Sequence, residues 1–314
     1  MYKIDEELSP IVLFAYNRLD KLINTIEKLK ANKLADRSDL FVFSDGSKND
    51  MDFESVNSVR HYLKSISGFK TVKIIYRKSN IGLASNVIDG VSEIVDKYGK
   101  IIVLEDDILT SEDFLLYMNK ALKKYSDDTR VMAVSGYVSP FNNRELPDCY
   151  FMQYFDCWGW ATWKDRWEKY QKNPKELVAK TNLKEIRKIN FYGSAPDMWN
   201  QVLDNYRGRN NTWAIFFHIM VCKYDGFVLF PKYSLCKNIG LDGTGTNCDS
   251  SKDFDTETID HYDNIVFPNN VDSDYTAIKH FVIFNKKRIK FLDKLYFFAL
   301  RLLFDNVIYR AILQ

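Results

Sequence analysis

The stretch KIIVLEDDILTSEDFLLYM, residues 100–118, decides how this chain folds. Its apolar residues 101–104 predict a strand buried on both faces, and three carboxylates follow at once, Glu105, Asp106 and Asp107. In an open α/β sheet, ligands bind at the edge formed by the carboxyl ends of the strands. Residues 110–113 carry the hydroxyl and acidic side chains that begin a helix. The stretch therefore predicts a strand, a charged binding edge and a helix.

Three adjacent carboxylates repel one another, and burying them costs free energy. A bound cation would offset that cost, and a solvated acidic turn is the equal alternative. Because all the candidate ligands are oxygens, a cation bound here would be a hard divalent ion, Mg²⁺ or Mn²⁺.

The composition of the chain limits the classes of function and the cellular compartment that we expect for it. The chain has 314 residues and a net charge of +2, which gives no indication of nucleic-acid binding. Five cysteines without a CxxC pair predict free thiols in a reducing compartment. The polar start resembles no secretory signal, and no stretch is long and apolar enough to span a bilayer. We therefore expect a cytoplasmic protein.

Strands and helices alternate through the first hundred residues. The predicted strands are 10–16, 40–43, 71–76 and 101–104, and the predicted helices between them are 19–30, 56–66 and 83–98. This alternation predicts an α/β fold with a mostly parallel central sheet and helices on both faces. A further strand is expected at 131–136.

Polar side chains follow each predicted strand where it ends. Asn17 and Arg18 follow the first strand, Asp45 the second and Asn80 the third, before the acidic triplet. This pattern is typical of a nucleotide site. The chain has neither GxGxxG nor GxxxxGK in its first loop, so ordinary dinucleotide and P-loop sites are poorly supported.

Four segments taken together resemble a known group of enzymes. FAYNR (14–18), FSDGS (43–47), NIGLASNVIDG (80–90) and VLEDDI (103–108) resemble the GT-A glycosyltransferases. The glycine and asparagine spacing of the third segment is similar to family 2. The EDD triplet is similar to the N-acetylglucosaminyltransferase I group. The order of motifs covers roughly residues 9–250, and it implies a Rossmann-like GT-A fold.

The resemblance also implies roles for the strand-end residues. Arg18 and Asp45, with Asn17 and Asn80, would contact the nucleotide. Glu105 and Asp106 would hold ribose and sugar hydroxyls, and Asp107 would be the direct metal ligand. The alternatives are a turn-forming role for Asp45 and a surface ion pair for Arg18.

The stretch YFMQYFDCWGWATWKDRWEKY, residues 150–170, is dense in aromatic side chains. Flat aromatic faces suit stacking on sugars, and a glycine lets backbone approach a ligand. The spacing of Trp160, Trp163 and Trp167 also fits a core helix. We expect both: Trp158, Gly159 and Trp160 at the pocket, with Trp163 and Trp167 in the core.

A catalytic base is expected near residue 197. The resembled family has an Asp in an Asp-x-Trp context there, which Asp197 and Trp199 match, although Pro196 stands where the family has a Trp. The alternative for Asp197 is a first-turn helix stabiliser. Asp156 and Asp165 are the reserve candidates. Trp199 is assigned to the sugar or acceptor site.

Two later segments complete the interpretation. A glycine-rich loop is read as a lid over bound donor, with a plain surface loop as the alternative; its residues are Gly240, Asp242, Gly243 and Gly245. Residues 280–314 are basic and apolar, which is typical of an amphipathic helix at a membrane interface. A helix docked on the core or on a second subunit is nearly as well supported.

The prediction is a metal-dependent glycosyltransferase with a nucleotide-binding half (1–140), an acceptor half (141–275) and a helical tail (276–314). The donor is expected to be UDP-linked, with an N-acetylhexosamine as the sugar. The acceptor is expected to be a surface polysaccharide or its lipid-linked precursor, and the enzyme to lie peripherally on the inner face of the plasma membrane. Inversion rests on the resemblance. A sugar-nucleotide nucleotidyltransferase and a non-catalytic nucleotide-sugar-binding scaffold are the alternatives.

Overall fold

The computed structural model describes residues 7–191, 194–195, 197–243, 253–256, 258 and 265–288. The strands are β1 (Ile11–Ala15), β2 (Asp39–Ser44), β3 (Thr71–Tyr76), β4 (Lys100–Glu105), β5 (Ile108–Thr110), β6 (Val131–Ser135), β7 (Cys149–Met152), β8 (Trp160–Trp163), β9 (Phe227–Pro231) and β10 (Cys236–Asn238). The helices are α1 (Leu19–Lys30), α2 (Asp50–Leu63), α3 (Leu83–Tyr98), α4 (Phe114–Lys124), α5 (Lys164–Trp167), α6 (Pro174–Lys180), α7 (Leu183–Ile189), α8 (Asp197–Tyr206), α9 (Ala214–Lys223) and α10 (Tyr275–Arg288). A short 3₁₀ helix spans Ala35–Arg37.

Eight strands form one sheet in the order β3-β2-β1-β4-β8-β6-β9-β7. Strands β1, β2, β3, β4, β6 and β9 share one direction, and β7 and β8 run against it. This confirms the predicted mostly parallel α/β sheet. Strands from residues 1–140 and from 141–275 hydrogen-bond within this sheet.

Apolar helix faces cover both sides of the sheet. On one side, α1, α2 and α4 bury residues such as Leu22, Val59 and Met118 against the strands. On the other side, α3, α9 and α10 contribute residues such as Val91 and Phe217. Each fully buried side chain of this kind stabilises the fold by roughly 1.5–3 kcal/mol relative to exposure.

Helix α3 shows why its bounds could be predicted from the sequence. It ends at Gly99, which has φ 76° and whose amide donates to the Val95 carbonyl, a typical left-handed helix end. Gly90 lies where a Cβ would come within 2.7 Å of the Phe14 ring. The helix can therefore pack close to β1 only because this position has no side chain.

A smaller helical layer lies beside the sheet. Helices α7, α8 and α9 bury Ile189, Trp199, Val202 and Phe216 in a cluster of their own. An Asn182 capping box begins α7. These helices contain most of residues 183–223, which come after strand β8 in the chain.

Two predicted elements differ from the structure, and one pair of strands was not predicted. Helix α2 begins at Asp50, earlier than the predicted residue 56, because the Asn49 side chain accepts from the amides of Met51 and Asp52. Residues 160–163 form strand β8, so the helical spacing of Trp160 and Trp163 was misleading. Strands β5 and β10 form an unpredicted antiparallel pair.

The described part of the tail docks on the core. Helix α10 buries Ala277 and Phe281, and the Phe281 ring lies 4.6 Å from that of Tyr154. The interfacial-helix prediction was made for residues 280–314, and its part beyond residue 288 lies outside the described residues. Among the described helices, none has the length and apolarity that crossing a bilayer requires.

Candidate active site

Arg18 and the acidic triplet meet at the carboxyl edge of the sheet. Because β1 pairs in parallel with β4, Phe14 lies opposite Glu105 and the two strand ends are neighbours. The Arg18 guanidinium lies 2.5 Å from Asp106 Oδ1 and 2.8 Å from Asp107 Oδ2. The Tyr16 amide also donates to Asp106, at 3.2 Å. The strand ends thus bring the predicted Arg18, Asp106 and Asp107 into direct contact.

The corner carries more negative than positive charge. Burial, together with Asp107 and Asp106, raises the pKa of Glu105 to about 8. Burial likewise raises the pKa of Asp106 to about 6, although Arg18 opposes this. Burial works against the Arg18 charge, but the two aspartates outweigh it and raise the Arg18 pKa. A further cation or a hydroxyl donor would therefore be stabilised here.

Asp45 organises the neighbouring strand end. Its Oδ1 accepts from the amides of Gly46 and Ile81, at 2.9 and 3.0 Å, and its Oδ2 accepts from the Gly82 amide at 3.0 Å. The Asn80 side chain donates to the Gly46 carbonyl at 2.9 Å. These bonds fix the loop between β3 and α3, so the turn-forming alternative describes a role that Asp45 does have in the structure.

Asn17 belongs to a separate group of contacts at the same edge. The side-chain nitrogen of Asn17 donates to Asp52 Oδ1 at 3.5 Å, and the Tyr16 hydroxyl donates to Asp52 Oδ2 at 2.7 Å. Burial and the Asp52 hydrogen bond raise the pKa of Tyr16 to about 12. Asn17 therefore links β1 to the start of α2, next to Arg18.

The glycine-rich segment after β10 lies against the acidic corner. The Ile239 amide donates to the Asp107 carbonyl at 2.9 Å. A Cβ on Gly240 would lie 1.9 Å from Asp107 Oδ2 and 2.9 Å from an Arg18 nitrogen. Asp242 pairs with Lys21 at 2.8 Å. The start of the predicted lid thus covers Asp107, while Gly243 is an exposed turn residue and Gly245 lies outside the described residues.

The aromatic segment divides differently from the prediction. Val103 lies opposite Trp160, so residues just before β8 reach the carboxyl edge. Trp158 is half-buried there, with its ring 4.5 Å from that of Tyr137. Gly159 has φ 70°, and a Cβ on it would lie 2.5 Å from the Cys236 sulfur.

Trp160 itself is a core residue. Its side chain is fully buried, and its ring lies 5.2 Å from that of Trp213 and 5.9 Å from that of Trp167. The pocket assignment of Trp160 is therefore corrected, since no face of its ring is open to a ligand. Trp163 and Trp167 are buried, in agreement with the core expectation.

The candidate bases lie in three different places. Asp197 is the first residue of α8. Asp156 is half-buried near the carboxyl edge, where it accepts from the Trp158 amide at 3.1 Å, and burial raises its pKa to about 7. Asp165 comes two residues after Trp163, the last residue of β8. Trp163 pairs with Lys100, the first residue of β4, so Asp165 lies near the amino edge of the sheet. Asp165 is thus removed from the site, because the strands separate it from the acidic corner.

Trp199 also lies away from the predicted sugar site. Its side chain is buried among the helices α7, α8 and α9, and its amide donates to the Asn190 side chain at 2.8 Å. This placement corrects its assignment, because the ring packs between helices.

The sequence interpretation assigned no role to two buried residues at and within α9, Trp213 and His218. Trp213, the residue before α9, is buried near Glu105, and its side chain lowers the pKa of Glu105 against the larger effect of burial. The His218 ring joins the Phe155 amide, at 3.3 Å, to the Ile189 carbonyl, at 2.9 Å, and burial lowers its pKa to about 4. Neither residue stands at a strand end, so strand-end reasoning could not find it.

A sequence comparison decides the family. The sequence model of glycosyl transferase family 2 matches residues 11–183, more than half of the chain. The chain belongs to glycosyl transferase family 2. It is therefore a glycosyltransferase that uses a nucleotide sugar, as the strand-end motifs predicted, and the nucleotidyltransferase and scaffold alternatives lose their support.

Two solved structures are similar to this family 2 chain. The mannosyltransferase PcManGT from Pyrobaculum calidifontis, in complex with GDP-Man and Mn²⁺, is 12% identical; the match covers 69% of this chain and 68% of that one, with a TM-score of 0.40. S. aureus TarS is also 12% identical; the match covers 45% of this chain and 23% of TarS, with a TM-score of 0.33. No curated protein sequence matches the chain.

The acidic corner of this family 2 enzyme fits a divalent cation as a partial site. Its donor atoms are carboxylate oxygens, and three carboxylates face one guanidinium. Among the described residues, no group of three or more His, Cys, Asp or Glu side chains is arranged as a ligand set. Asp107, the predicted metal ligand, is the residue that would hold such an ion, with other ligands from outside the chain, as is usual for Mg²⁺.

Proposed function

We propose that the chain transfers a sugar from a UDP-linked donor to a saccharide or lipid-linked saccharide acceptor. The contact of Arg18 with Asp106 and Asp107 carries this proposal, because it joins a phosphate-binding group to a hard-cation ligand. An N-acetylhexosamine is the first donor sugar to test.

The described contacts support a division of labour at the site. Arg18 would bind the diphosphate, since a guanidinium pairs bidentately with phosphate oxygens. Asn17, Asp45 and Asn80 would hold the nucleoside, with the Asp45 loop already ordered by three amide bonds. Glu105 and Asp106 would accept ribose and sugar hydroxyls.

Asp107 would hold Mn²⁺ or Mg²⁺. When bound, the ion supplies charge that stabilises the departing diphosphate. Gly240 lies directly on the Asp107 carboxylate. The segment from Gly240 to Asp242 would therefore have to shift as the donor enters, which is the movement expected of a lid.

We expect an inverting reaction in which an aspartate removes the proton of the acceptor hydroxyl. Asp197 remains the first candidate, and Asp156 is the second because burial raises its pKa to about 7 near the carboxyl edge. A general base contributes about 100- to 10,000-fold to a rate. Asp197→Asn and Asp156→Asn should therefore separate clearly in kcat, with nucleotide affinity unchanged in the variant that loses the base.

Membrane attachment through residues 289–314 is part of the proposal, as is a lipid-linked acceptor in surface polysaccharide synthesis. The support is the position of α10, where the Phe284 ring lies 6.2 Å from that of Phe254, which in turn lies 5.7 Å from Trp158. The last described turn of α10 is thus close to the carboxyl edge. Removing residues 289–314 should abolish binding to anionic vesicles; a second copy as the partner of the tail would instead show as a change in mass in solution.

The test is sugar-nucleotide turnover. The purified chain is incubated with Mn²⁺ and a panel of UDP- and GDP-sugars, and release of the nucleoside diphosphate is measured with and without saccharide acceptors. Metal-dependent release from a UDP-sugar, lost in Asp107→Ala, supports the proposal. Release from GDP-sugars alone would contradict the UDP donor, and release indifferent to Asp107→Ala would contradict the metal site.

A further inference from the structure

Arg18 occupies one of the two oxygens with which Asp107 would hold a cation. Its Nη2 lies 2.8 Å from Asp107 Oδ2 and 2.5 Å from Asp106 Oδ1, so a single nitrogen donates to both carboxylates. Gly240 lies against the same oxygen, since a Cβ on it would overlap Asp107 Oδ2. The carboxylate of the predicted metal ligand is therefore both paired and covered.

The Arg18 guanidinium is only half satisfied in this position. Its Nη1 is buried, and among the described residues that nitrogen has no hydrogen-bond partner. A Cβ on Gly240 would lie 2.9 Å from Nη1, so the glycine-rich segment covers it as well. A buried donor without an acceptor costs free energy, and a guanidinium binds phosphate oxygens with two nitrogens at once. A diphosphate would therefore satisfy Arg18 better than the two aspartates do.

Two cations on Asp107 would repel each other. A magnesium ion lies about 2.0–2.1 Å from a carboxylate oxygen, so an ion on Asp107 Oδ2 would lie at most about 5 Å from Arg18 Nη2. At that distance a divalent ion and a guanidinium repel strongly in a site mostly shielded from water. Because Arg18 precedes α1 and has a long side chain, its guanidinium can turn away while the strands keep their places.

We propose that Arg18 is a placeholder cation, which neutralises Asp106 and Asp107 in the free enzyme and moves to the diphosphate of the donor, so that Asp107 is freed for the metal ion. The inference rests on the proposed function, in which Arg18 binds the diphosphate and Asp107 the metal. It adds that a metal ion binding alone competes with Arg18, whereas one that binds together with the nucleotide does not.

A matched pair of variants tests the proposal. Arg18→Gln removes the cation that contacts Asp107. Lys237→Gln removes a cation from β10, the strand that pairs with β5 next to the acidic triplet, where Lys237 pairs with Asp255 at 2.7 Å. The affinity for Mn²⁺ alone is measured by electron paramagnetic resonance of the free ion, for both variants and the wild type. The affinity for UDP at saturating Mn²⁺ is measured by calorimetry.

Arg18→Gln should bind Mn²⁺ alone about 10-fold more tightly than the wild type, because the ion no longer displaces a hydrogen bond between charged groups. Lys237→Gln should stay within about 2-fold of the wild type, since a partly exposed charge paired elsewhere acts only through a screened field. Equal Mn²⁺ affinities in the two variants would overturn the proposal.

The affinity for UDP should change in the opposite direction. It should fall by about 10-fold in Arg18→Gln and stay unchanged in Lys237→Gln, because only Arg18 would contact the diphosphate. Opposite changes for Mn²⁺ and UDP exclude a merely damaged site, which would lose affinity for both. An unchanged UDP affinity in Arg18→Gln would overturn the exchange. If the wild type binds no Mn²⁺ even with UDP, the proposed function fails and the inference fails with it.

Crystals of the wild type grown with UDP and Mn²⁺ decide the question if Arg18→Gln does not fold. Manganese on Asp107, with Arg18 Nη2 beyond hydrogen-bond distance of Asp107, supports the exchange. Manganese on Asp107 with the Arg18 contact retained overturns the inference alone. Crystals with UDP but no manganese on Asp107 contradict the proposed metal site, and the inference fails with it.

Discussion

The two edges of the central sheet use similar charge pairs in different surroundings. At the carboxyl edge, the Arg18 side chain is 20% exposed, and those of its partners Asp106 and Asp107 are 5% and 10% exposed. At the amino edge, Lys164 pairs with Asp96, and these side chains are 40% and 73% exposed. One set is mostly shielded from water, and the other is solvated.

The difference indicates which charges serve binding. Moving a charged side chain out of water costs several kcal/mol of free energy per ion. A solvated ion pair contributes only about 0–1 kcal/mol to the stability of the fold. This cost applies at the carboxyl edge, where three carboxylates lie near one guanidinium. We therefore expect the ligand-binding charges at the carboxyl edge, while the pair at the amino edge is a solvated surface pair.

The largest expected effect comes from Asp107→Asn. Removing the charge that would hold the cation should lower metal-dependent release of nucleoside diphosphate by about 1000-fold, equivalent to roughly 4 kcal/mol of transition-state stabilisation. Asp165→Asn, at the amino edge, is the control and should retain wild-type turnover. Loss of activity in Asp165→Asn would contradict the assignment of the site to one edge.

Arg18→Gln should cost about 3 kcal/mol of stability near pH 8, because it leaves mostly buried carboxylates unpaired. The loss should shrink toward pH 5. Asp106 has a pKa of about 6 with Arg18 present, and without Arg18 that pKa rises further, so at low pH the protonated carboxyl needs no partner. Urea denaturation at pH 5 and pH 8 measures both values; a loss independent of pH would contradict this electrostatic account.

Two glycines sharpen the comparison. Gly240→Ala places a Cβ 1.9 Å from Asp107 Oδ2, so turnover should fall by about 10-fold as the segment is displaced. Gly99→Ala, at the amino edge, meets no atom within 4 Å but sits at φ 76°. It should cost about 1–2 kcal/mol of stability and leave turnover unchanged. Steady-state kinetics and denaturation of both variants would show whether the two effects separate in this way.

The smallest effect is expected for Lys164→Gln. An exposed ion pair with Asp96 should contribute less than about 1 kcal/mol, and salt should reduce it further. Denaturation midpoints at low and high ionic strength measure this contribution. A larger loss would show that the amino edge is not simply solvated surface.

Much of the fold follows from local pattern. Strand β3 and helix α3 have the predicted bounds, because alternation and glycine positions mark them in the nearby sequence. Strand β8 was missed as a strand because its tryptophans fit a helix equally well, and the antiparallel insertion between β4 and β6 depends on pairing with distant residues. The same holds for β5, whose partner β10 comes more than a hundred residues later.

The candidate site likewise contains residues whose positions could be predicted from the sequence and residues whose positions could not. The positions of Arg18, Asp45 and Asp107 at the carboxyl edge were predictable, because the carboxyl ends of parallel strands meet at one edge of a sheet. That of Trp213 was not, since its position near Glu105 depends on how α9 packs. The Gly240 contact with Asp107 requires the β5–β10 pair, which no local pattern indicates.

The acidic triplet lies between β4 of the large sheet and β5 of the two-stranded one. Strand β5 pairs with strand β10, which begins only at Cys236. On a ribosome, strands β1 to β4 would emerge and begin to pair well before that strand exists. Catalytic competence would then arise late, and a nascent chain would carry its charged corner uncovered until about three quarters of the chain had been translated.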